Sequence, residues 1–364
     1  MLFDPFTLGT MTIKNRMVRS ATYEKRADAD GFVTDSLIDF YTDLTRGGVG
    51  LIITGNALVH VSGRSVPQMI CLHNDFYVDK LRRLVDAVHD RGGKIIIQLT
   101  HGGRQCFPAL LGGCEPLAPS AVPDRTKKAT PRAMTHEEIW EVVEAFGTAA
   151  RRAMWAGFDG IQIHGAHGYL VSEFLSPYTN RRDDYWGGDE ERRFHFAEEV
   201  YKAIRDEAGG AAVLIKLNSS DFIEGGLDME ESLRIARRLE GLGMDAIEVS
   251  GGIQEAGSKT AQVNILRSEQ EAYFREASRL FRGNLHIPVI LVGGIRSRSV
   301  AEDVLTAGDA DLVALSRPLI REPDLPRKFR EGKDKADCIS CNGCMRFFKL
   351  DVVRCTQLDQ KSPL

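Results

Sequence analysis

Two imidazoles and a phenol stand close together in His164-Gly165-Ala166-His167-Gly168-Tyr169. Imidazoles three residues apart can ligate metal, yet no third ligand in an H-E-x-x-H type of pattern completes such a site. The same pair can donate hydrogen bonds to one carbonyl oxygen, and a phenol that stays protonated at neutral pH can deliver a proton beside it. A second group is Val292-Gly293-Gly294-Ile295 with Ser316-Arg317. Two glycines alone read as a tight turn as readily as an anion cradle, but an arginine at the matching position of the next repeat adds a countercharge for phosphate. The third group is Cys338, Cys341 and Cys344 at C-x2-C-x2-C spacing, followed at a distance by Cys355. Three close thiolates and one remote thiolate suit the corners of a [4Fe–4S] cubane. Zinc, which paired C-x2-C knuckles suit better, and free thiols are the other readings. Cys71, Cys106 and Cys114 show no ligand spacing and read as ordinary thiols.

The elements that carry these groups repeat. Short β-branched runs at 16–20, 50–54, 94–98, 160–164, 213–217, 246–250, 288–292 and 312–316 alternate with amphipathic stretches near 36–47, 74–91, 135–156, 189–208, 229–242, 268–282, 298–307 and 323–331. Thr135 and Glu138 form a capping box at the third helix. Such alternation predicts an α/β chain closed as a (β/α)8 barrel over 1–331, with an N-terminal hairpin around Gly9-Thr10 and a cysteine-rich tail at 332–364. A doubly wound sheet would need a G-x-G-x-x-G turn after a strand, which is absent. In a barrel, the strand C-terminal ends face the active site. That rule brings Ala21, Thr22, Asn56, Gln98, His164, His167, Tyr169, Lys216, Gly293, Gly294, Ser316 and Arg317 to one mouth. The long Gly- and Pro-containing loop 101–134 is expected to help build the site there.

Composition sets the class. The chain has 364 residues, 43% hydrophobic and 27% charged, which is ample for a large buried core. Its formal net charge of -4 comes without blocks of like charge, so neither nucleic acid nor a polybasic membrane contact is expected. Met1-Leu2-Phe3-Asp4-Pro5-Phe6 shows no basic stretch followed by an apolar run, and no apolar run reaches the about 18 residues of a membrane span. A cytoplasmic protein acting on a small molecule is the expectation, and oligomeric state is not legible.

Asn15-Arg16-Met17-Val18, Ile97-Gln98-Leu99-Thr100-His101-Gly102-Gly103-Arg104, the His164–Leu170 run, and Ser176-Pro177-Tyr178-Thr179-Asn180-Arg181-Arg182-Asp183-Asp184 occur in this order. With Gly187-Gly188, Gly293-Gly294 and Ser316-Arg317 they resemble the Old Yellow Enzyme family of NADH:flavin oxidoreductases over about residues 2–330. The resemblance implies non-covalent FMN at the barrel mouth. Ala21, Thr22 and the Gln98 amide would contact its ring, Lys216 its N1/C2 edge, and Gly293, Gly294, Ser316 and Arg317 its phosphate. His164 and His167 would bind the carbonyl oxygen of an α,β-unsaturated substrate, and Tyr169 would protonate its α-carbon. The implied activity passes a hydride from NAD(P)H through flavin N5 to the β-carbon of an enone or enoyl thioester. Departures are Tyr23, where relatives place Thr or Cys, and Asn56, where Ala or Gly is usual.

The tail is similar to the cluster-binding segment of 2,4-dienoyl-CoA reductase and trimethylamine dehydrogenase. That similarity implies an iron–sulfur-linked flavin dehydrogenase or dienoyl-CoA reductase, with an external electron-transfer partner, as the alternative function. A non-redox barrel using Lys216 as a Schiff-base lysine is the outside reading. The barrel alone is expected to frame the flavin, leaving the tail dispensable for its retention.

Overall fold

The computed structural model describes residues 1–126 and 129–359. Eight parallel strands form the barrel: β1 (Met17–Arg19), β2 (Leu51–Leu58), β3 (Ile95–Thr100), β4 (Gly160–Gly165), β5 (Ala212–Asn218), β6 (Ala246–Ser250), β7 (Val289–Val292) and β8 (Leu312–Leu315). Each pairs with the next, and β1 pairs with both β8 and β2, which closes the sheet. Seven outer helices follow the first seven strands: α1 (Asp35–Arg46), α2 (Val78–His89), α3 (His136–Ala156), α4 (Glu190–Ala208), α5 (Met229–Leu242), α6 (Arg275–Arg282) and α7 (Arg298–Thr306). The Leu325–Arg330 helix follows the last strand, and Arg327 N donates to Gly47 O at the end of α1. The Thr135 capping box forms as expected.

Alternation along the strands sorts two cores. Ile161, Ile163, Val213, Ile215, Ile247 and Val249 face outward into the large core under the helices. Val18, Leu51, Ile53, Ile96, Leu214, Ile290 and Leu312 face inward as a separate apolar cluster. The hairpin Phe6–Leu8 with Met11–Ile13 adds Leu8, Met11 and Ile13 to that inner cluster, sealing one end with buried aliphatic side chains. One step further along the inward face the residues turn polar: Gln98, Gln162, Lys216 and Glu248 are all buried. The chemistry therefore sits on an apolar plug and opens at the other end.

Two expectations need correction. The helix expected from 268 starts only at Arg275, because Ala272 takes a left-handed φ of 54° and Tyr273 N donates to Gly293 O, breaking the helical ladder. The stretch expected from 74 begins with a short 3-10 turn at Asp75–Tyr77, and α2 proper starts at Val78. No described helix is long and apolar enough to cross a membrane.

Candidate active site

A cavity of about 280 Å3 opens at the C-terminal ends of the strands. Ala21, Thr22, Asn56, Gln98, His164, His167, Tyr169 and Lys216 line it, as do Gly293, Gly294, Ser316 and Arg317. Asn56 reaches it because the β2–β3 register shifts between Ile53 and Asn56, re-aiming the end of β2.

Beneath the cavity runs a closed polar circuit. Lys216 Nζ donates to Ser20 Oγ at 2.8 Å and lies 3.2 Å from Glu248 Oε1. Ser20 Oγ donates to the same oxygen at 2.6 Å. Gln162 Nε2 donates to Glu248 Oε2 at 2.8 Å, and Gln98 Nε2 donates to Gln162 Oε1 at 2.8 Å. A buried ion pair is stable only when its remaining hydrogen-bonding capacity is satisfied, and this one meets that condition.

The histidines stand with their rings 5.4 Å apart, and the Tyr169 ring is 4.5 Å from His164. Burial, then His167 and Lys216, hold the His164 pKa well below its usual value. Burial, then Lys216, brings His167 to about 3. Both imidazoles are therefore neutral at pH 7, each with one N–H to give. His167 is held from three sides. Its Nε2 meets Ser250 Oγ at 2.7 Å, its backbone N donates to Asn218 Oδ1, and its carbonyl accepts from Gln105 Nε2 at 2.6 Å. These bonds sustain a left-handed φ of 63°. His164 Nδ1 is buried with no hydrogen-bond partner, as expected of a group awaiting a ligand. Burial raises Tyr169 to about 12, so its phenol keeps its proton.

At the opposite end Gly293 and Gly294 have φ of 139° and 74°. A Cβ on Gly294 would come within 2.7 Å of the Tyr273 ring, so the glycines make room for an aromatic wall as well as a turn. Arg317 donates to Gln262 O at 2.7 Å and to Asn342 Oδ1, and Thr22 Oγ1 meets Ser316 Oγ at 2.8 Å.

Asn342 belongs to the tail, and here the expectation that the barrel alone frames the site fails. Ser340, Cys344, Met345, Phe347 and Val353 also line the cavity. Lys25 Nζ donates to Phe347 O and Leu350 O, Val353 N donates to Glu24 O, and the Phe347 ring meets Tyr23 edge-on at 5.2 Å. Cys338, Cys341, Cys344 and Cys355 line one small adjoining recess with Arg317, and Cys344 faces both spaces. Burial raises the Cys338 thiol, and that of Cys344 to about 11. Among the described residues no three His, Cys, Asp or Glu side chains are grouped to hold a metal ion.

Loop 101–134 braces the site from behind, where it was expected to help build it, instead of lining the cavity. None of its described residues lines the cavity, and its contribution is the Gln105 clamp on His167. Sequence reasoning missed Tyr273 and Phe274, the tail's wall residues, and the Gln162–Glu248 underlayer. Only the last left a signal, as two polar residues inside otherwise apolar strand runs.

The chain matches the model of the NADH:flavin oxidoreductase / NADH oxidase family over residues 1–336. It is 40% identical to an NADH oxidase of Thermoanaerobacter brockii over 362 residues, 98% of this chain and 55% of that protein. A structure of a 2-naphthoyl-CoA reductase in complex with 2-naphthoyl-CoA superimposes with a TM-score of 0.90 at 30% identity, over 97% of this chain and 56% of that one. An old yellow enzyme homologue from Zymomonas mobilis superimposes with a TM-score of 0.80 at 28% identity, over 100% and 99%. The chain thus spans about half the length of the first two.

Proposed function

The chain belongs to the NADH:flavin oxidoreductase / NADH oxidase family, and on that footing we propose that it is an FMN-dependent NAD(P)H oxidoreductase reducing an activated alkene in this cavity. The observation carrying the reading is the convergence of His164, His167 and Tyr169 on the space that Lys216 and Arg317 also line. The residues fit FMN: cationic groups serve its ring and its phosphate and an amide serves its pyrimidine edge, while the orphaned His164 Nδ1 is left for the substrate. When bound, FMN supplies hydride transfer between NAD(P)H and the substrate β-carbon.

The protein's part is electrostatic and positional. Gln98, Lys216, Ala21 and Thr22 hold the ring, with Asn56 beside Gln98 in register, while Ser316, Arg317 and the Gly293-Gly294 backbone hold the phosphate. His164 and His167, neutral and fixed, offer N–H donors to the substrate carbonyl oxygen, where negative charge develops. Tyr169 retains a proton for the α-carbon. An enoyl or aryl thioester is favoured as substrate by the likeness to 2-naphthoyl-CoA reductase, with a simple enone as the other candidate.

A second reading adds a [4Fe–4S] cluster held by Cys338, Cys341, Cys344 and Cys355, which would pass single electrons between the flavin and an external partner. It is favoured by four thiols sharing one recess, with Cys344 also lining the flavin cavity. A visible spectrum of anaerobically purified protein tests both readings. Flavin bands bleached by NADH or NADPH and restored by an enone or enoyl thioester are expected, with a broad additional absorbance if the cluster is present. Colourless protein that fails to retain added FMN would overturn the first reading. Absence of iron and sulfide after reconstitution would overturn the second.

A further inference from the structure

We propose that Glu248, which lies outside the cavity lining, is a positioning residue that fixes the Gln98 amide with its carbonyl oxygen toward the cofactor. The inference rests on the FMN reading above. Its premise is the donor and acceptor inventory of the buried circuit. An ionised carboxylate has acceptors only, and Glu248 lies beside the Lys216 ammonium at 3.2 Å. Its Oε1 takes Ser20 Oγ–H and faces Lys216, so its Oε2 is left for Gln162.

Gln162 must therefore present its NH2 group to Glu248, which turns its Oε1 toward Gln98. Gln98 must answer with its own NH2 group, at 2.8 Å. Each choice forces the next, so the amide orientation follows from the charge on Glu248 rather than from any freedom in the glutamines. What Gln98 has left is its Oε1 and the second hydrogen of its NH2 group; with that NH2 group turned to Gln162, Oε1 is the acceptor it can show the cavity. An acceptor recognises an N–H, and the oxidised isoalloxazine ring carries only one, at N3.

Strand register holds the relay in place. Gln98 and Gln162 are direct partners on β3 and β4, and Lys216 and Glu248 are direct partners on β5 and β6. Gln162 and Glu248 are both fully buried, so no water competes for their groups. An amide at position 248 would reverse the relay. The Lys216 ammonium and Ser20 Oγ–H would keep the amide oxygen on their side and turn its NH2 group to Gln162, so Gln162 and Gln98 would both reverse and Gln98 would show the cavity its NH2 group instead of Oε1.

The test is fluorescence titration of apoprotein with FMN and with N3-methyl-FMN. Wild type should prefer FMN by about tenfold or more, because the N3-methyl group leaves the Gln98 Oε1 acceptor without its donor. Glu248→Gln should narrow that preference to about threefold or less while still binding FMN. Gln162→Leu, which leaves the Lys216–Glu248 pair intact, should do the same and serves if the first variant fails to fold. A merely structural defect would weaken both ligands alike and leave the ratio where it was. A wild-type ratio retained in a folded variant, or no preference in wild type, overturns the inference. If wild type binds neither ligand, the FMN reading fails and takes this inference with it.

Discussion

Asn342, set between Cys341 and Cys344, accepts a hydrogen bond from Arg317, the cation at the end of the flavin cavity opposite the histidines. The asparagine is itself tied down, donating through Nδ2 to Ala261 O at 2.8 Å, and its left-handed φ of 57° suits it to the tight turn between the cysteines. The cysteine segment and the Arg317 end of the cavity are thus one piece of structure.

Arg317→Ala should weaken FMN binding about 10- to 150-fold, the effect of losing about 1.5–3 kcal/mol of charge-assisted contact. Asn342→Ala should weaken it less, about 2- to 10-fold, because the arginine remains but loses its brace. Titration of apoprotein with FMN reads both, and an unchanged dissociation constant for Arg317→Ala would remove the phosphate from this end.

Cys341→Ser should lower iron and sulfide content and, because the tail lines the flavin cavity, reduce FMN occupancy as well. Metal analysis and flavin absorbance on one preparation report both quantities. Full FMN retention in protein lacking iron would show that the wall stands without the cluster.

Tyr169→Phe should leave flavin reduction by NAD(P)H nearly intact and slow substrate reduction by about 10²–10⁴-fold. Stopped-flow measurement of the two half-reactions separates them. Equal slowing of both would make the tyrosine a positioning group rather than the proton donor.

Acid should destabilise the fold through its buried histidines. His101 and His167 are pushed down to about 3, chiefly by burial, and His164 lies well below its usual value. Below the unfolded pKa of about 6.5 the unfolded chain binds protons that the folded one refuses, so stability falls as pH drops from about 6.5 toward 3. Glu24 acts in the other direction. Burial raises it to about 7, opposed by Arg19, the Tyr41 hydroxyl and Gly55 N–H. The folded chain then holds a proton that the unfolded chain has released, so stability falls as pH rises from about 4.5 through 7. Urea midpoints from pH 4 to 9 should show the second limb flattened in Glu24→Gln and the first unchanged; superimposable profiles would show that Glu24 does not titrate there.

The barrel was legible because its signals are local: β-branched runs, helical periodicity and caps recur in each unit, and the mouth residues follow from strand direction alone. Lys216 and Arg317 could be placed that way. Tyr273 could not, since a helical pattern over 268–282 gives no hint that Ala272 leaves the helix to swing an aromatic ring against Gly294. Nor could Glu248, whose role depends on Ser20 just past β1 and on partners from β4 and β5 that only barrel closure brings together. The tail misled for the same reason. Its cysteine spacing is a local pattern, while its place in the cavity wall depends on contacts with Glu24 and Lys25 far away in sequence.

Those contacts set a timetable. Lys25 is bonded to carbonyls 322 and 325 positions further along the chain. At a synthesis rate of about 5–20 residues per second, the first loop emerges roughly 15–65 s before the segment that completes its wall. During that interval Tyr23 has no Phe347 to pack on and Arg317, once made, has no Asn342. Completion of the wall around the flavin cavity is therefore a step that follows translation of the tail.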